Sequence, residues 1–181
     1  MAKLDIDLPP SFAAAIGYVA AYCSLLESVI EESIWGLLGF EEDIGRTVTS
    51  ELMLVGKMNL LLTVAQEKID DESLIGDLKA IHQKTLDKDL TREDQESLNK
   101  RRNRVIHCRW QIGLLDVIAS GLGAGNIRSA LNYRAKGGKV KLDYKAMSDD
   151  VILDIAKSFA LTAGQLDDWT QRALESLTPA H

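Results

Sequence analysis

The stretch Pro9-Pro10-Ser11-Phe12-Ala13-Ala14-Ala15-Ile16-Gly17-Tyr18-Val19-Ala20-Ala21-Tyr22-Cys23-Ser24-Leu25-Leu26 decides how the rest of the chain is read. No charge occurs from residue 8 to residue 26, so a membrane span and a buried helix compete for it. Three features favour the buried helix. The stretch is rich in Ala rather than Leu or Ile. It carries Pro9, Pro10, Ser11, Gly17, Tyr18, Tyr22 and Ser24. Asp5 and Asp7 stand where a signal peptide would place basic residues. Proline is tolerated in a first helical turn, where the N–H it lacks would have no partner. Phe12, Ile16, Val19, Cys23, Leu26, Ile30, Ile34 and Leu37 then recur at steps of three and four, the stripe of an amphipathic helix. Gly39 supplies its C-terminal cap. The expectation is a first helix that buries one face in a bundle, with no membrane segment and a cytoplasmic location.

Outward from that helix the apolar period repeats. Val48, Leu52, Val55, Leu62, Ala65 and Ile69 predict a second helix over about 47–69, and a third covers about 73–86. Thr91 with Asp94 resembles a capping box opening a fourth, which carries Leu98, Val105 and Ile106 to His107. Gly113, Gly121, Gly123 and Gly125 make a flexible connection that lacks the Gly-Lys-Ser/Thr ending of a phosphate-cradling loop. Then the period changes to two. Leu131, Tyr133 and Ala135 alternate with Asn132, Arg134 and Lys136, and Val140, Leu142 and Tyr144 alternate with Lys139, Lys141, Asp143 and Lys145. Gly137-Gly138 between them is a turn signal, so a hairpin is expected. Ser148, Asp149 and Asp150 open a last helix, and Val151, Ile155, Phe159, Leu166, Trp169 and Ala173 carry it to about Leu177. The fold class expected is all-α: a single domain over 1–181, a bundle of four to five helices with a β-hairpin inserted at about 130–145.

Composition narrows the function classes. With 46% hydrophobic and 27% charged residues, a chain of 181 can close a core and is not a disordered segment. Cys23 and Cys108 are far apart, and His82, His107 and His181 are scattered, so neither a disulfide framework nor a metal site is expected, and no cofactor. The cysteines read as reduced, small apolar side chains. The net charge is −6, yet it is unevenly spread. Residues 100–145 hold eleven Lys and Arg against Asp116 and Asp143, a net +9, while the remainder carries −15. Lys100, Arg101, Arg102, Arg104 and Arg109 form one basic cluster; Arg128, Arg134, Lys136, Lys139, Lys141 and Lys145 form another. Such a concentration attracts polyphosphate. It also fits a solvated face, or one that meets an acidic partner.

Arg101-Arg102-Asn103-Arg104-Val105-Ile106-His107-Cys108-Arg109-Trp110 holds the residue types of metal-independent RNA cleavage. That reaction needs a base for the ribose 2′-OH, a cation for charge growing on phosphorus, and an acid for the departing 5′-oxygen. Histidine serves either proton role, and arginine grips phosphate while staying charged. Asn103 and His107 share a helical face, about 40° apart, whereas Arg102 and His107 lie about 140° apart on an ideal helix. Arg102 therefore reaches its own His107 only by curling or by a loosened helix end. Otherwise a second subunit brings the groups together, and a symmetric dimer would also supply two histidines to one groove.

Arg102-Asn103-x-x-x-His107 resembles the Arg-x(4–6)-His signature of the HEPN superfamily (higher eukaryote and prokaryote nucleotide-binding domains), whose common form has a polar residue, often Asn, after the Arg. Leu26-Glu27, Trp35-Gly36-Leu37-Leu38-Gly39 and Trp110 also look similar to bacterial members, so the resemblance spans about residues 12–177. The basic hairpin looks like an insertion seen in some of them. The resemblance implies a helical bundle that dimerises with its motifs facing each other. It also implies a metal-independent endoribonuclease that acts as a toxin or antiviral-defence effector. A cognate antitoxin would be its partner, nucleotidyltransferase-like or another small protein. Carried over by position, Arg102 would stabilise phosphate, Asn103 would orient a motif side chain or the RNA, and His107 would transfer protons. Glu27 would hold Arg102 or His107 from behind. Lys100, Arg101, Arg104, Arg109, Arg134, Lys136, Lys139 and Lys141 would bind RNA. Some members of the superfamily only bind or dimerise. A non-catalytic RNA, nucleotide or protein-interaction module, with His107 capping a helix end against Trp110, is therefore the alternative.

Overall fold

A computed structural model describes residues 8–86, 96–107, 109–111, 127–136 and 139–178. The charge-free stretch forms the start of α1, Pro10–Leu38. Its first turn is closed by the amides of Phe12 and Ala13 donating to Pro9 O at 2.9 and 3.0 Å. Phe12, Val19, Cys23, Leu26, Ile30, Ile34 and Leu37 are buried, as the period requires. Ile16 is half-buried and Ala15 is fully buried beside it. Gly39 ends the helix with φ +67°, a backbone that glycine adopts without strain. The Phe40 amide reaches back to Trp35 O at 2.9 Å and the Gly39 amide to Gly36 O at 3.2 Å, which satisfies two terminal carbonyls. By length and composition α1 is apolar enough to cross a membrane, but its stripe is buried in the protein's own core.

The second expected helix is two. Glu42–Thr49 is α2, residues 50–53 interrupt, and Leu54–Lys68 is α3. The interruption resets the helical phase. Val48 and Val55, placed on the apolar face by a continuous count, are exposed; Ala65 and Ile69 of that count are buried, together with Leu54, Lys57, Met58, Leu61 and Val64. Glu72–Leu86 is α4, capped by Asp71 Oδ1, which accepts the Ser73 and Leu74 amides at 2.8 and 3.3 Å. Leu98–His107 is α5. Its start falls later than the Thr91–Asp94 signal, and those residues lie outside the described ones. Asp149–Leu177 is α6, with Ser148 Oγ accepting the Val151 amide at 3.3 Å. It buries Ile152, Ile155, Phe159, Leu166, Trp169 and Ala173, while Val151 is exposed. The chain is mostly helical, with six helices among the described residues.

Arg109–Gln111 is β1, Ile127–Lys136 is β2 and Lys139–Ser148 is β3. They pair antiparallel in the order β1-β2-β3, with Arg134 opposite Lys141 and Lys136 opposite Lys139. The Gly137-Gly138 turn and the four glycines of 113–126 lie outside the described residues.

The chain divides into two compact units, Met1–Ala21 with Arg102–Ala156 and Tyr22–Arg101 with Lys157–His181. Helices α1, α5 and α6 each contribute a segment to both. The first unit contains the three strands. The second is held by buried polar contacts as well as apolar ones. Ser33 and Thr170 hydroxyls meet at 2.6 Å, and Trp169 Nε1 donates to Leu74 O at 2.8 Å. Trp35 Nε1 donates to Thr49 Oγ1 at 3.3 Å, and Gly45 lies so close on the Trp35 ring that a Cβ there would collide with it.

Candidate functional site

The motif occupies α5. Ser97 begins this helix, its Oγ accepting the Lys100 amide at 3.4 Å. Leu98 and Val105, seven residues apart, are buried at 3% and 0% exposure and fix which face of α5 turns inward. Arg102 and Asn103 are thereby left half-buried, and His107, the last helical residue, is exposed. Arg102 Nη1 donates to Asn103 Oδ1 at 3.0 Å and approaches His107 Nε2 at 3.3 Å. The ideal offset of about 140° is thus bridged within one chain, because the arginine stem is long enough to curl along the last turn. Both contacts leave from the same nitrogen, which carries two hydrogens.

A guanidinium has no lone pair to offer, so His107 Nε2 must be the acceptor. The arrangement therefore belongs to a neutral imidazole with its proton on Nδ1. Neither partner of Arg102 is charged. Among the described residues no carboxylate is paired with it, so its positive charge is oriented but not neutralised. An anion arriving there would meet a guanidinium held in place by two neutral acceptors.

The other expected site residues divide into several groups. Arg104 is not a surface contact: it is buried at 8% exposure beside the fully buried Val105. Little of its surface is left to meet RNA in this conformation. Lys100 pairs with Glu96 at 3.1 Å and stays half-exposed. Arg101 is half-buried. Arg109 is in β1, Arg134 and Lys136 in β2, and Lys139 and Lys141 in β3. The backbone register sets Arg134 against Lys141 and Lys136 against Lys139, but their side chains, like those of Cys108 and Trp110, lie outside the described ones.

Glu27 has another occupation than the one expected. Its Oε2 accepts from Lys57 Nζ at 3.1 Å, and the Cys23 thiol points to its Oε1 at 3.8 Å. Glu31, one turn on, takes the same ammonium at 2.6 Å. Lys57 is buried at 7% exposure on the apolar face of α3. Burial alone would push its pKa down. The hydrogen bonds it donates to Glu31 and Glu27, with their negative charge, outweigh that and raise it above the ordinary 10.5. Sequence reasoning missed this clasp. Its signal was a Lys three residues after Leu54 and four before Leu61, with two acids spaced four apart on α1.

Two further polar contacts lie away from the motif. His82 Nε2 meets Asn59 Oδ1 at 2.8 Å, an exposed contact between α4 and α3. Lys84 Nζ donates to Gln165 Oε1 at 3.2 Å in a cleft of ≈ 420 Å³ shared with Asp77 and Arg172, and burial lowers its pKa. Cys23 is a buried thiol that forms no disulfide among the described residues. Among the described residues no group of three or more His, Cys, Asp and Glu is arranged to hold a metal ion. No protein-family model, no curated protein and no solved structure matches the chain.

Proposed function

We propose that this chain is a HEPN-like, metal-independent endoribonuclease that works in the cytoplasm as a homodimer, as a toxin or antiviral-defence effector. The observation that carries the reading is the Arg102 guanidinium 3.3 Å from the His107 imidazole, with no carboxylate paired to it among the described residues. A cation that holds phosphate and a group that moves protons then share one helix end. In the reaction, O2′ loses its proton to a histidine and attacks phosphorus. The P–O5′ bond breaks, and O5′ takes a proton from the second histidine of the dimer. The products are a 2′,3′-cyclic phosphate and a 5′-hydroxyl. Arg102 offsets the charge that gathers on the non-bridging oxygens. Asn103 accepts from Arg102 and so orients it.

The strands support the same substrate. The backbone register sets Arg134 opposite Lys141 and Lys136 opposite Lys139, so basic residue types are concentrated along one ribbon. Such a concentration attracts a polyanion, which makes the ribbon the proposed RNA grip. The acidic remainder of the chain suits a basic or nucleotidyltransferase-like antitoxin as partner.

The test is cleavage of a labelled RNA by the purified protein in excess EDTA, beside His107→Ala and Arg102→Ala. Cleavage by the parent and by neither variant is the expected result. Cleavage that requires Mg²⁺ or survives both substitutions removes the mechanism. A second reading, a non-catalytic RNA-binding module, draws on the same contact: Nε2 is already engaged and takes no proton while Arg102 remains there. Salt-sensitive RNA binding without products would select it.

A further inference from the structure

We propose that Arg102, besides gripping phosphate, is a positioning residue for His107: it holds the ring in the Nδ1–H form with Nε2 covered, and a phosphodiester uncovers Nε2 by drawing the guanidinium away. This latch rests on the reading above and adds the regulation of its site. The argument is one of donors and acceptors. Arg102 Nη1 has two hydrogens and two acceptors, Asn103 Oδ1 at 3.0 Å and His107 Nε2 at 3.3 Å. Since the guanidinium only donates, the ring nitrogen it meets carries no proton, and the neutral ring keeps its hydrogen on Nδ1.

While that contact stands, Nε2 takes no proton from a ribose hydroxyl. Both present acceptors are neutral. A phosphodiester oxygen is anionic, and charge-assisted bonds from arginine are roughly twice as strong as neutral ones. Phosphate therefore displaces the weaker and longer of the two existing contacts first, the one to His107. Asn103, bonded at the shorter distance, keeps the guanidinium tethered to the same helix turn while it moves. His107 is exposed at the end of α5, so its ring is open to the incoming ligand. The base is then uncovered only where an RNA backbone is present.

The experiment reads the imidazole nitrogens of the whole protein by ¹⁵N NMR, in solution alkaline enough to keep the rings neutral. The His107 signals are assigned by their loss in His107→Ala. In the free protein Nδ1 should show a protonated, pyrrole-type signal and Nε2 a bare, pyridine-type one. Arg102→Ala should shift the ring toward the Nε2–H form, and Asn103→Ala, which removes only the tether, should shift it part of the way. A saturating oligonucleotide with 2′-deoxyribose throughout, which binds but offers no 2′-OH, should release Nε2 in the unsubstituted protein; this arm needs no variant to fold. An Nε2–H ring in the free protein, a spectrum indifferent to Arg102→Ala, or no response to the oligonucleotide overturns the latch. The expected spectra without any RNA cleavage would sink the nuclease reading and leave the latch standing.

Discussion

Lys57 sits between two carboxylates, Glu31 Oε1 at 2.6 Å and Glu27 Oε2 at 3.1 Å, whereas Arg102 has two neutral acceptors at 3.0 and 3.3 Å. Both cations lie on helices and are partly withdrawn from water. Lys57 is surrounded by Leu54, Met58 and Leu61 on the buried face of α3, where a lone charge is prohibitive and two acids offset it. Arg102 is half-buried near an exposed helix end, and among the described residues no carboxylate pairs with it. On the proposed function, the difference separates a cation used for folding from one used for binding. The first is neutralised by carboxylates of its own chain. The second is oriented by groups that leave its charge intact.

The largest test of this contrast is activity against stability. His107→Ala and Arg102→Ala should each lower RNA cleavage by about 10²–10⁴-fold. Their urea midpoints should stay within about 0.5 kcal/mol of the parent, since neither side chain fills the core. Lys57→Ala should do the reverse. It leaves Glu27 and Glu31 without their cation and should cost about 3 kcal/mol in urea denaturation, with cleavage per folded molecule unchanged. Adding Glu27→Gln and Glu31→Gln to it should recover most of that loss. A Lys57→Ala protein as stable as the parent would break the comparison, because the clasp would then hold nothing.

A smaller effect should come from Gly45→Ala, whose added methyl meets the Trp35 ring; about 1–3 kcal/mol of destabilisation is expected. Charge removal on the ribbon sharpens the binding side. Lys136→Ala and Lys139→Ala should each flatten the slope of log affinity for single-stranded RNA against log salt by about 0.7, if each lysine meets one phosphate. Unchanged slopes would remove the ribbon from the RNA path.

The smallest effect is a pH dependence, and its sign follows from the direction of each shift. The Lys57 pKa is raised in the folded chain, so its contribution is fully present below the unfolded value of about 10.5 and fades as pH climbs through the higher folded value. The Lys84 pKa is lowered by burial, so the unfolded chain holds the extra proton over an interval just below 10.5 and stability rises there with pH. Denaturation midpoints of Lys57→Met and Lys84→Met, followed against pH from neutrality upward, should lose these opposite slopes one at a time.

Much of the fold is legible from spacing. The stripe Phe12–Val19–Cys23–Leu26–Ile30–Ile34 is buried because the helical period alone puts those residues on one face. Gly39 and Ser148 mark helix ends through the bonds their backbone or side chains make locally. The break at residues 50–53 was not legible. Ser50, Glu51, Leu52 and Met53 contain no glycine or proline, and the apolar count runs through them without a stop. A shift of phase there moves Val48 and Val55 outward and Lys57 inward, which no local rule announces.

What the chain determined by itself is whatever depends on neighbours along it: the first and last long helices, their caps, the basic segment, and the motif Arg102-Asn103-x-x-x-His107 with its donor and acceptor types. Tertiary structure decided the partners. Glu27 took Lys57, thirty residues away, because the helices that carry them meet there. Arg104 went inward. Side-chain length let Arg102 reach His107 along a single helix. Spacing sets which residues share a face. Which of them meet is set by packing and by the cost of leaving a buried charge unpaired, and both depend on the whole fold.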